Sequence, residues 1–94
     1  MKLKNKTFII TGATSGMGKA TALLFAREGA NLILSGRDID RGESLVHEIQ
    51  EMAEEVHFIP GDVGEIDVNR RLVANAISSY GQLDGLVCHA GELG

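Results

Sequence analysis

A glycine-rich segment is the part of this sequence best suited to chemistry. Residues 11–18 read T-G-A-T-S-G-M-G and directly follow the apolar residues Phe8, Ile9 and Ile10. The apolar run predicts a strand and the residues after the glycines predict a helix, so the segment is a turn between the two. Unpaired backbone N–H groups and the dipole of a helix N-terminus both attract negative charge. Such a turn therefore suits a pyrophosphate.

Each glycine of this turn is expected to have its own role. Gly12 permits the tight turn, Gly16 lets the backbone approach a phosphate, and Gly18 lets the helix lie close to the sheet. The spacing G-x-x-x-G-x-G differs from the common dinucleotide pattern G-x-G-x-x-G, and a flexible loop before a helix is the alternative. The residues of the turn predicted to bind a cofactor are Gly12, Thr14, Ser15, Gly16, Met17 and Gly18.

Composition sets limits on the class of protein. The chain has 94 residues, of which 44% are hydrophobic and 23% charged, as in one soluble globular domain. A net charge of −4 and the absence of a basic stripe argue against nucleic acid as a partner. Cys88 is the single cysteine and cannot form an internal disulfide, which fits a reducing cytoplasm. The apolar runs are too short for a signal peptide or a membrane span, so we expect a cytoplasmic protein.

Strand and helix patterns alternate along the chain. Strands are predicted at residues 7–11, 31–35, 56–59 and 85–88, and helices at 16–28, from Asp38 or Asp40 onward, and at 66–80. Alternation implies right-handed crossovers and a parallel sheet. We therefore predict an α/β, Rossmann-like doubly wound sheet, in part only, with strand order 3-2-1-4 and three helices. The carboxyl ends of strands one and four then line one crevice, where ligands of such sheets bind.

Helical spacing also predicts which residues face the sheet. The first two helices are expected on one face and the third on the other. The third helix is expected to turn a row of apolar residues inward: Val68, Leu72, Val73, Ala76 and Ile77.

The end of the second strand bears on the choice of nucleotide. In a dinucleotide site, an acid here accepts hydrogen bonds from a ribose 2′-OH, whereas an arginine accommodates a 2′-phosphate. Gly36 occupies the place of the acid and Arg37 follows it, so we predict NADP(H) in preference to NAD(H). Asp38 is better placed as a helix cap. The alternative is that Arg37 is a solvated surface charge.

Four segments in fixed order carry a family resemblance. They are T-G-A-T-S-G-M-G, S-G-R-D, G-D-V after the third strand, and G-Q-L-D-G-L-V-C-H-A-G around the fourth. Together they resemble the short-chain dehydrogenases/reductases of the classical type, over the whole chain. The resemblance implies that Asp62 and Val63 hold an adenine ring and that the backbone of Ala90 and Gly91 approaches the cofactor ribose. It also implies hydride transfer between NADP(H) and an alcohol or carbonyl substrate, by proteins that are usually homo-oligomers.

The sequence departs from that family at two positions. Cys88 and His89 stand where the family has two asparagines. Cys88 at a strand end is expected to be a small buried hydrophobe. His89 can supply one hydrogen bond in place of an amide, or is an ordinary loop histidine.

No catalytic residue and no metal ligand is predicted within these residues. The resemblance places the family's serine and Tyr-x-x-x-Lys beyond the fourth strand. Tyr80 has no lysine four residues later and is expected to pack at the end of the third helix, with Ser78 and Ser79 on its surface. His47 and His57 lack the spacing of a metal site or a triad.

Two interpretations remain open from the sequence. In the first, residues 1–94 are a single NAD(P)-binding domain that stops before the catalytic half of an oxidoreductase. In the second, the chain is complete as given and is a non-catalytic module that binds a nucleotide or a partner. We expect the isolated chain to have no dehydrogenase turnover. We also expect it to self-associate, or to require the rest of its polypeptide, because Leu86 and Val87 lie on an open edge strand.

Overall fold

The computed structural model describes residues 2–52, 55–61 and 65–89. Its elements are β1 (Thr7–Thr11), α1 (Gly16–Arg27), β2 (Asn31–Gly36), α2 (Ile39–Gln50), β3 (Val56–Pro60), α3 (Ile66–Tyr80) and β4 (Gly85–Cys88). All strand pairs are parallel, and the strands lie in the order β3-β2-β1-β4. The predicted fold class and strand order are confirmed, and both ends of every strand fall within one residue of the prediction.

The two central strands are apolar on both faces because helices cover both faces of the sheet. Ile10, Leu32 and Leu34 are buried in one cluster with residues of α1 and α2. Ile9 and Ile33, which alternate with them, are buried in a second cluster with residues of α3. The first two helices therefore cover one face and the third covers the other, as predicted.

Helix α2 begins immediately after β2 because Asp38 caps it. The Asp38 carboxylate accepts the backbone N–H of Arg41 at 3.0 Å, which satisfies one of the N–H groups left unpaired at a helix start. Of the two aspartates that the sequence offered as caps, the first is the one used. The short connection holds the start of α2 beside the carboxyl end of β2.

Helix α3 buries a narrower face than the sequence predicted. Val68, Leu72 and Ala76 are buried against the sheet, but Val73 and Ile77 are 46% and 50% exposed. The prediction that these two residues face inward was wrong, because α3 packs mainly over β1 and β2 and these two side chains lie outside that contact. The helical period of apolar residues identifies the centre of the buried face of a helix, whereas the width of that face depends on what lies beside the helix.

Leu86 is a third exposed apolar residue on the side of the sheet that α3 covers. It is the register partner of the buried Ile9, so both side chains emerge on the face that α3 covers, yet Leu86 is 58% exposed. Val87 points to the other face and packs partly against the α1–α2 core. We name Val73, Ile77 and Leu86 the apolar strip.

Self-association of the isolated polypeptide stays a prediction, and the apolar strip supports it. An edge strand flanked by exposed apolar side chains is a template for pairing with another chain. Light scattering on the purified 94-residue polypeptide is expected to give a mass above that of the monomer. The Leu86→Lys variant should lower that mass, since a charge on an edge strand opposes pairing. A monodisperse monomer from the unchanged sequence contradicts the prediction.

Asp84 links β4 to β1 at the amino-terminal ends of the two strands. Its carboxylate Oδ2 accepts the backbone N–H of Thr7 at 2.7 Å, and its own N–H donates to the Thr7 carbonyl at 2.8 Å. The side chain of Gln82 donates to the same carboxylate at 2.7 Å. The Thr7 hydrogen bond is the main cause that lowers the pKa of Asp84, with Gln82 and Lys6 adding to it against the effect of burial.

The lowered pKa predicts an acid-dependent contribution to stability. A carboxyl whose pKa is lower in the folded state stabilises the fold above its ordinary value of 3.8 and loses that contribution as the pH falls through the folded pKa. The Asp84→Asn variant should therefore be less stable than the parent near neutral pH, and the difference should shrink below pH 3.8. Urea unfolding across this range measures it. A difference that does not change with pH refutes the assignment.

Candidate functional site

The turn after β1 is closed by Ser15. Its N–H and Oγ–H both donate to the carbonyl oxygen of Gly12, at 3.1 and 2.7 Å, and its Oγ accepts the N–H of Gly18 at 3.0 Å. Gly12 has φ of +64°, a conformation that glycine adopts without strain. Ser15 is thereby the N-cap of α1, and the N-terminus of α1 lies at the carboxyl end of β1.

The three glycines of the turn differ in what a side chain would meet. A Cβ on Gly18 would overlap the carbonyl group of Gly12, so α1 packs directly on the turn. A Cβ on Gly12 would lie 2.5 Å from the carbonyl oxygen of His89. A Cβ on Gly16 would meet nothing within 4 Å. The backbone at Gly16 is therefore open to a ligand, whereas the other two glycines serve packing.

A cavity of about 400 Å³ lies between this turn and α2. The turn lines it with residues 13–16, and α1 contributes Lys19. The first two turns of α2 contribute Asp40, Arg41 and Ser44. Among the residues that the sequence assigned to the site, Thr14, Ser15 and Gly16 line this cavity together. Met17 is not among the lining residues and is 75% exposed.

Gly36 is confined by Thr14 at the end of β2. A Cβ at Gly36 would lie 2.8 Å from Oγ1 and 2.9 Å from Cγ2 of Thr14, whose side chain is itself buried. A larger residue here would displace Thr14 from the wall of the cavity. The place where an acid would select a ribose 2′-OH is therefore closed to any side chain in this structure.

Arg37 and Arg41 occupy different positions relative to the cavity. Arg37 is exposed and is not among the residues that line it, whereas Arg41 is. Sequence reasoning missed Arg41 and Lys19, because no spacing along the chain shows that the first turns of α1 and α2 lie side by side. The one available signal was the position of Arg41 three residues after a helix cap.

The charges at the cavity are held in exposed ion pairs. Nε of Arg41 lies 3.4 Å from Oδ2 of Asp38, and Nζ of Lys19 lies 3.5 Å from Oε2 of Glu48. Both pairs are about half or more exposed and contribute little to stability. The N-termini of α1 and α2 add partial positive charge at the same place. The arrangement suits an anion that can draw these cations from their present partners.

The end of β4 reaches the same turn from the other side. The N–H of His89 donates to the Thr11 carbonyl at 3.3 Å, and its backbone lies against Gly12. Nε2 of His89 is buried and has no hydrogen-bond partner in the described part of the chain. A buried polar atom of this kind calls for a partner, and a bound ligand is one way to supply it.

Cys88 is exposed, so the expectation that it is a small buried hydrophobe was wrong. The reason is that β4 has β1 as its neighbour on one side only in the described sheet. Asp62, Val63, Ala90 and Gly91, which the resemblance placed against the adenine and the ribose, lie outside the described residues.

Tyr80 lies near the amino-terminal ends of the strands, away from the cavity at their carboxyl ends. This position is as expected of a packing residue. Its ring packs against the α3 core and meets the ring of His57 edge-on, with centroids 5.8 Å apart. Burial, with a smaller effect from Glu55, raises the pKa of Tyr80 to about 12. A phenol with this pKa at this end of the sheet is not positioned for chemistry at the cavity. No group of potential metal ligands occurs in the ranges that the structure describes.

Comparison with known proteins identifies the family. The family model described as short chain dehydrogenase matches residues 6–93. This chain belongs to the short-chain dehydrogenases. An uncharacterized oxidoreductase of Listeria monocytogenes, Lmo0432, is 45% identical over 91 residues, which are 97% of this chain and 37% of the relative.

Solved short-chain dehydrogenase structures have the same fold. A hydroxysteroid dehydrogenase from Escherichia coli superposes with a TM-score of 0.87 at 34% identity, over 93% of this chain and 37% of that one. A Caenorhabditis elegans member of unknown function, solved with cofactor, gives a TM-score of 0.86 at 34% identity, over 92% of this chain and 33% of that one. The chain thus spans little more than a third of these relatives.

Membership of the family indicates the class of cofactor that the site is built to hold. Short-chain dehydrogenases are oxidoreductases that bind nicotinamide dinucleotides. The site fits such a group, since it offers the open backbone at Gly16, the N-terminus of α1 and the unpartnered Nε2 of His89. As to membranes, the described part of the chain holds no helix with the length and apolarity of a spanning segment.

Proposed function

We propose that this chain is the NADP(H)-binding domain of an oxidoreductase that transfers hydride between NADP(H) and an alcohol or carbonyl substrate. The observation that carries the proposal is the N-terminus of α1, open at Gly16, beside a cavity at the carboxyl ends of β1 and β2. This is where dinucleotides bind in doubly wound sheets. The alternative, a non-catalytic binding module, is not favoured for a member of this family.

The preference for NADP(H) over NAD(H) rests on the end of β2. Thr14 leaves no room for an acid at Gly36, so nothing at that position accepts hydrogen bonds from a ribose 2′-OH. Arg37 follows and brings a cation whose planar fork matches a phosphate. Both features support the NADP(H) proposal. The lack of room at Gly36 removes the NAD-selective contact, and Arg37 adds an attraction for the 2′-phosphate.

The residues of this chain have binding and positioning roles in the proposed reaction. The bound cofactor supplies or accepts the hydride. The N–H groups at the start of α1 hold its diphosphate, and the predicted contacts of Asp62 and Val63 hold the adenine ring. His89 and the predicted backbone contacts of Ala90 and Gly91 are assigned to the ribose, to which Nε2 of His89 can donate or from which it can accept one hydrogen bond. The proton-transferring groups belong to the remainder of the protein, so the 94-residue chain alone is still expected to show no turnover.

Substitution of Arg37 tests the choice of cofactor. Arg37→Ala is expected to weaken NADP⁺ binding by about 1–3 kcal/mol, because a charge-assisted contact to the 2′-phosphate is lost. NAD⁺ binding should change little. Calorimetric titration of the parent and the variant with both nucleotides measures this, and Arg27→Ala, an exposed arginine at the far end of α1, is the matched control. Equal affinity of the parent for the two nucleotides overturns the preference.

The wider context of the chain is part of the proposal. We place the protein in the cytoplasm because its lone cysteine fits a reducing compartment. We propose that residues 1–94 act as one nucleotide-binding domain and that the whole protein forms homo-oligomers through segments other than these. The substrate is an alcohol or carbonyl compound whose binding residues lie outside this chain.

A further inference from the structure

We propose that Arg41 and Lys19 form a second cationic contact for the 2′-phosphate of bound NADP(H), and that Asp38 sets its strength by competing for Arg41. This inference rests on the proposed function. It adds Lys19 and Arg41 as contacts to the phosphate, and Asp38 as their competitor, to an NADP(H) preference that Arg37 alone was expected to provide.

The cavity places these two cations where the phosphate is expected. Its walls are the turn at residues 13–16, which approaches the diphosphate, and the start of α2, which follows the end of β2. The adenosine ribose of a dinucleotide lies between those two elements. Lys19 and Arg41 line that space from α1 and α2, whereas Arg37 does not line it. A 2′-phosphate in the cavity would therefore meet these side chains.

The cations and donors that line the cavity distinguish a dianion from a neutral hydroxyl. Lys19 and Arg41 line the cavity with one carboxylate, Asp40, and the Ser44 hydroxyl is a further donor. Their ion-pair partners, Glu48 and Asp38, do not line it, so a phosphate gains the two cations only by replacing these carboxylates. The N-terminus of α2 contributes positive partial charge at the same wall. A phosphate monoester carries about two negative charges at neutral pH, so it gains more from this surroundings than a hydroxyl does. Asp40 opposes the phosphate and limits the gain.

The present ion pairs are of a kind that exchanges partners. Asp38 contacts Nε of Arg41 at 3.4 Å, and the two terminal nitrogens of that guanidinium belong to a side chain that is 72% exposed. Those nitrogens remain for a bidentate contact to phosphate. Asp38 also caps α2 through the N–H of Arg41, so its carboxylate is fixed near the guanidinium whether or not ligand is present. Asp38 therefore acts as a constant competitor.

The variants Arg41→Ala and Asp38→Asn test the proposal from opposite directions. Arg41→Ala should lower NADP⁺ affinity about tenfold and leave NAD⁺ affinity within about twofold. Asp38→Asn should raise NADP⁺ affinity about threefold, because asparagine caps a helix as well as aspartate does but does not compete as a charge. Lys19→Ala should act like Arg41→Ala with a smaller effect. Arg70→Ala, exposed on α3, is the matched control.

Calorimetric titration of the 94-residue polypeptide with NADP⁺ and NAD⁺ distinguishes the outcomes. If the parent binds neither nucleotide, the proposed function fails and this inference fails with it. If the parent prefers NADP⁺, Arg37→Ala abolishes the preference and Arg41→Ala does not change it, only the inference is overturned. A gain of affinity in Asp38→Asn that disappears in the Asp38→Asn, Arg41→Ala double variant supports it. Because Asp38→Asn is expected to raise NADP⁺ affinity, misfolding of the variants that lose affinity cannot account for this result.

Discussion

Replacing Gly18 with alanine is expected to destabilise the fold by about 3 kcal/mol. The new Cβ would overlap the Gly12 carbonyl oxygen and lie 2.7 Å from the Gly12 carbonyl carbon and 2.9 Å from Cα of Ala13. All three are backbone atoms, so no change of rotamer relieves the contact. Alanine usually stabilises a helix relative to glycine by up to about 1 kcal/mol, but the steric cost exceeds that gain.

Urea unfolding followed by circular dichroism measures the effect at Gly18. The matched control is Gly16→Ala in the same turn of α1, where the added Cβ meets no atom within 4 Å. The control should be as stable as the parent, because the change is the same and the surroundings differ. If Gly18→Ala is as stable as Gly16→Ala, α1 does not lie against the turn as the structure has it.

Replacing Gly16 with valine is expected to have the largest effect on nucleotide binding. We predict at least a hundredfold loss of NADP⁺ affinity, about 2.7 kcal/mol, because a branched side chain would fill the space through which the backbone approaches the diphosphate. The fold should persist, since no protein atom lies within 4 Å of a Cβ at this position. Gly16→Val is thus expected to lose nucleotide binding but not stability, whereas Gly18→Ala is expected to lose stability.

Calorimetry with NADP⁺ and a thermal melt of the same sample separate the two effects at Gly16. Gly16→Ala provides the graded control, with an affinity between those of the parent and the valine variant. A folded Gly16→Val protein that binds as the parent does would mean that the diphosphate lies elsewhere, and the role assigned to the glycine turn would then be wrong.

Local signals in the sequence predicted most of the fold. Apolar runs marked the strands, and the alternation of strands and helices implied the parallel order. These features depend on residues that are close together in the chain. The two sides of the sheet followed in the same way, because Ile9 and Ile10 alternate and must face opposite cores.

The errors concern residues whose surroundings come from elsewhere in the chain. Cys88 was expected to be buried because a free cysteine usually behaves as a small buried hydrophobe, but the described sheet has no strand on the far side of β4 to cover it. Val73 and Ile77 fit a helical period, yet nothing in the described residues covers that side of α3. Sequence spacing reports the direction of a side chain and not what lies in front of it.

The candidate site was predicted in part for the same reason. The glycine turn is a local motif, and Thr14, Ser15 and Gly16 do line the cavity. Lys19 and Arg41 were missed because they belong to different helices that meet only in three dimensions. Gly36 was interpreted as a missing acid, whereas the structure adds the cause, which is the contact that a Cβ would make with Thr14.

The bond between Asp84 and Thr7 has a consequence for the order of events in folding. It joins residues 77 apart, whereas the contact between Asn31 and Thr7 at the start of β2 joins residues 24 apart. The entropy cost of closing a loop rises with its length, so β1 acquires β2 as a neighbour more cheaply than it acquires β4. On a ribosome, β1 keeps one bare edge until synthesis has passed residue 84. The lysines at positions 2, 4 and 6 directly precede β1 in the chain, and like charges next to an unpaired strand oppose pairing between nascent chains during the interval.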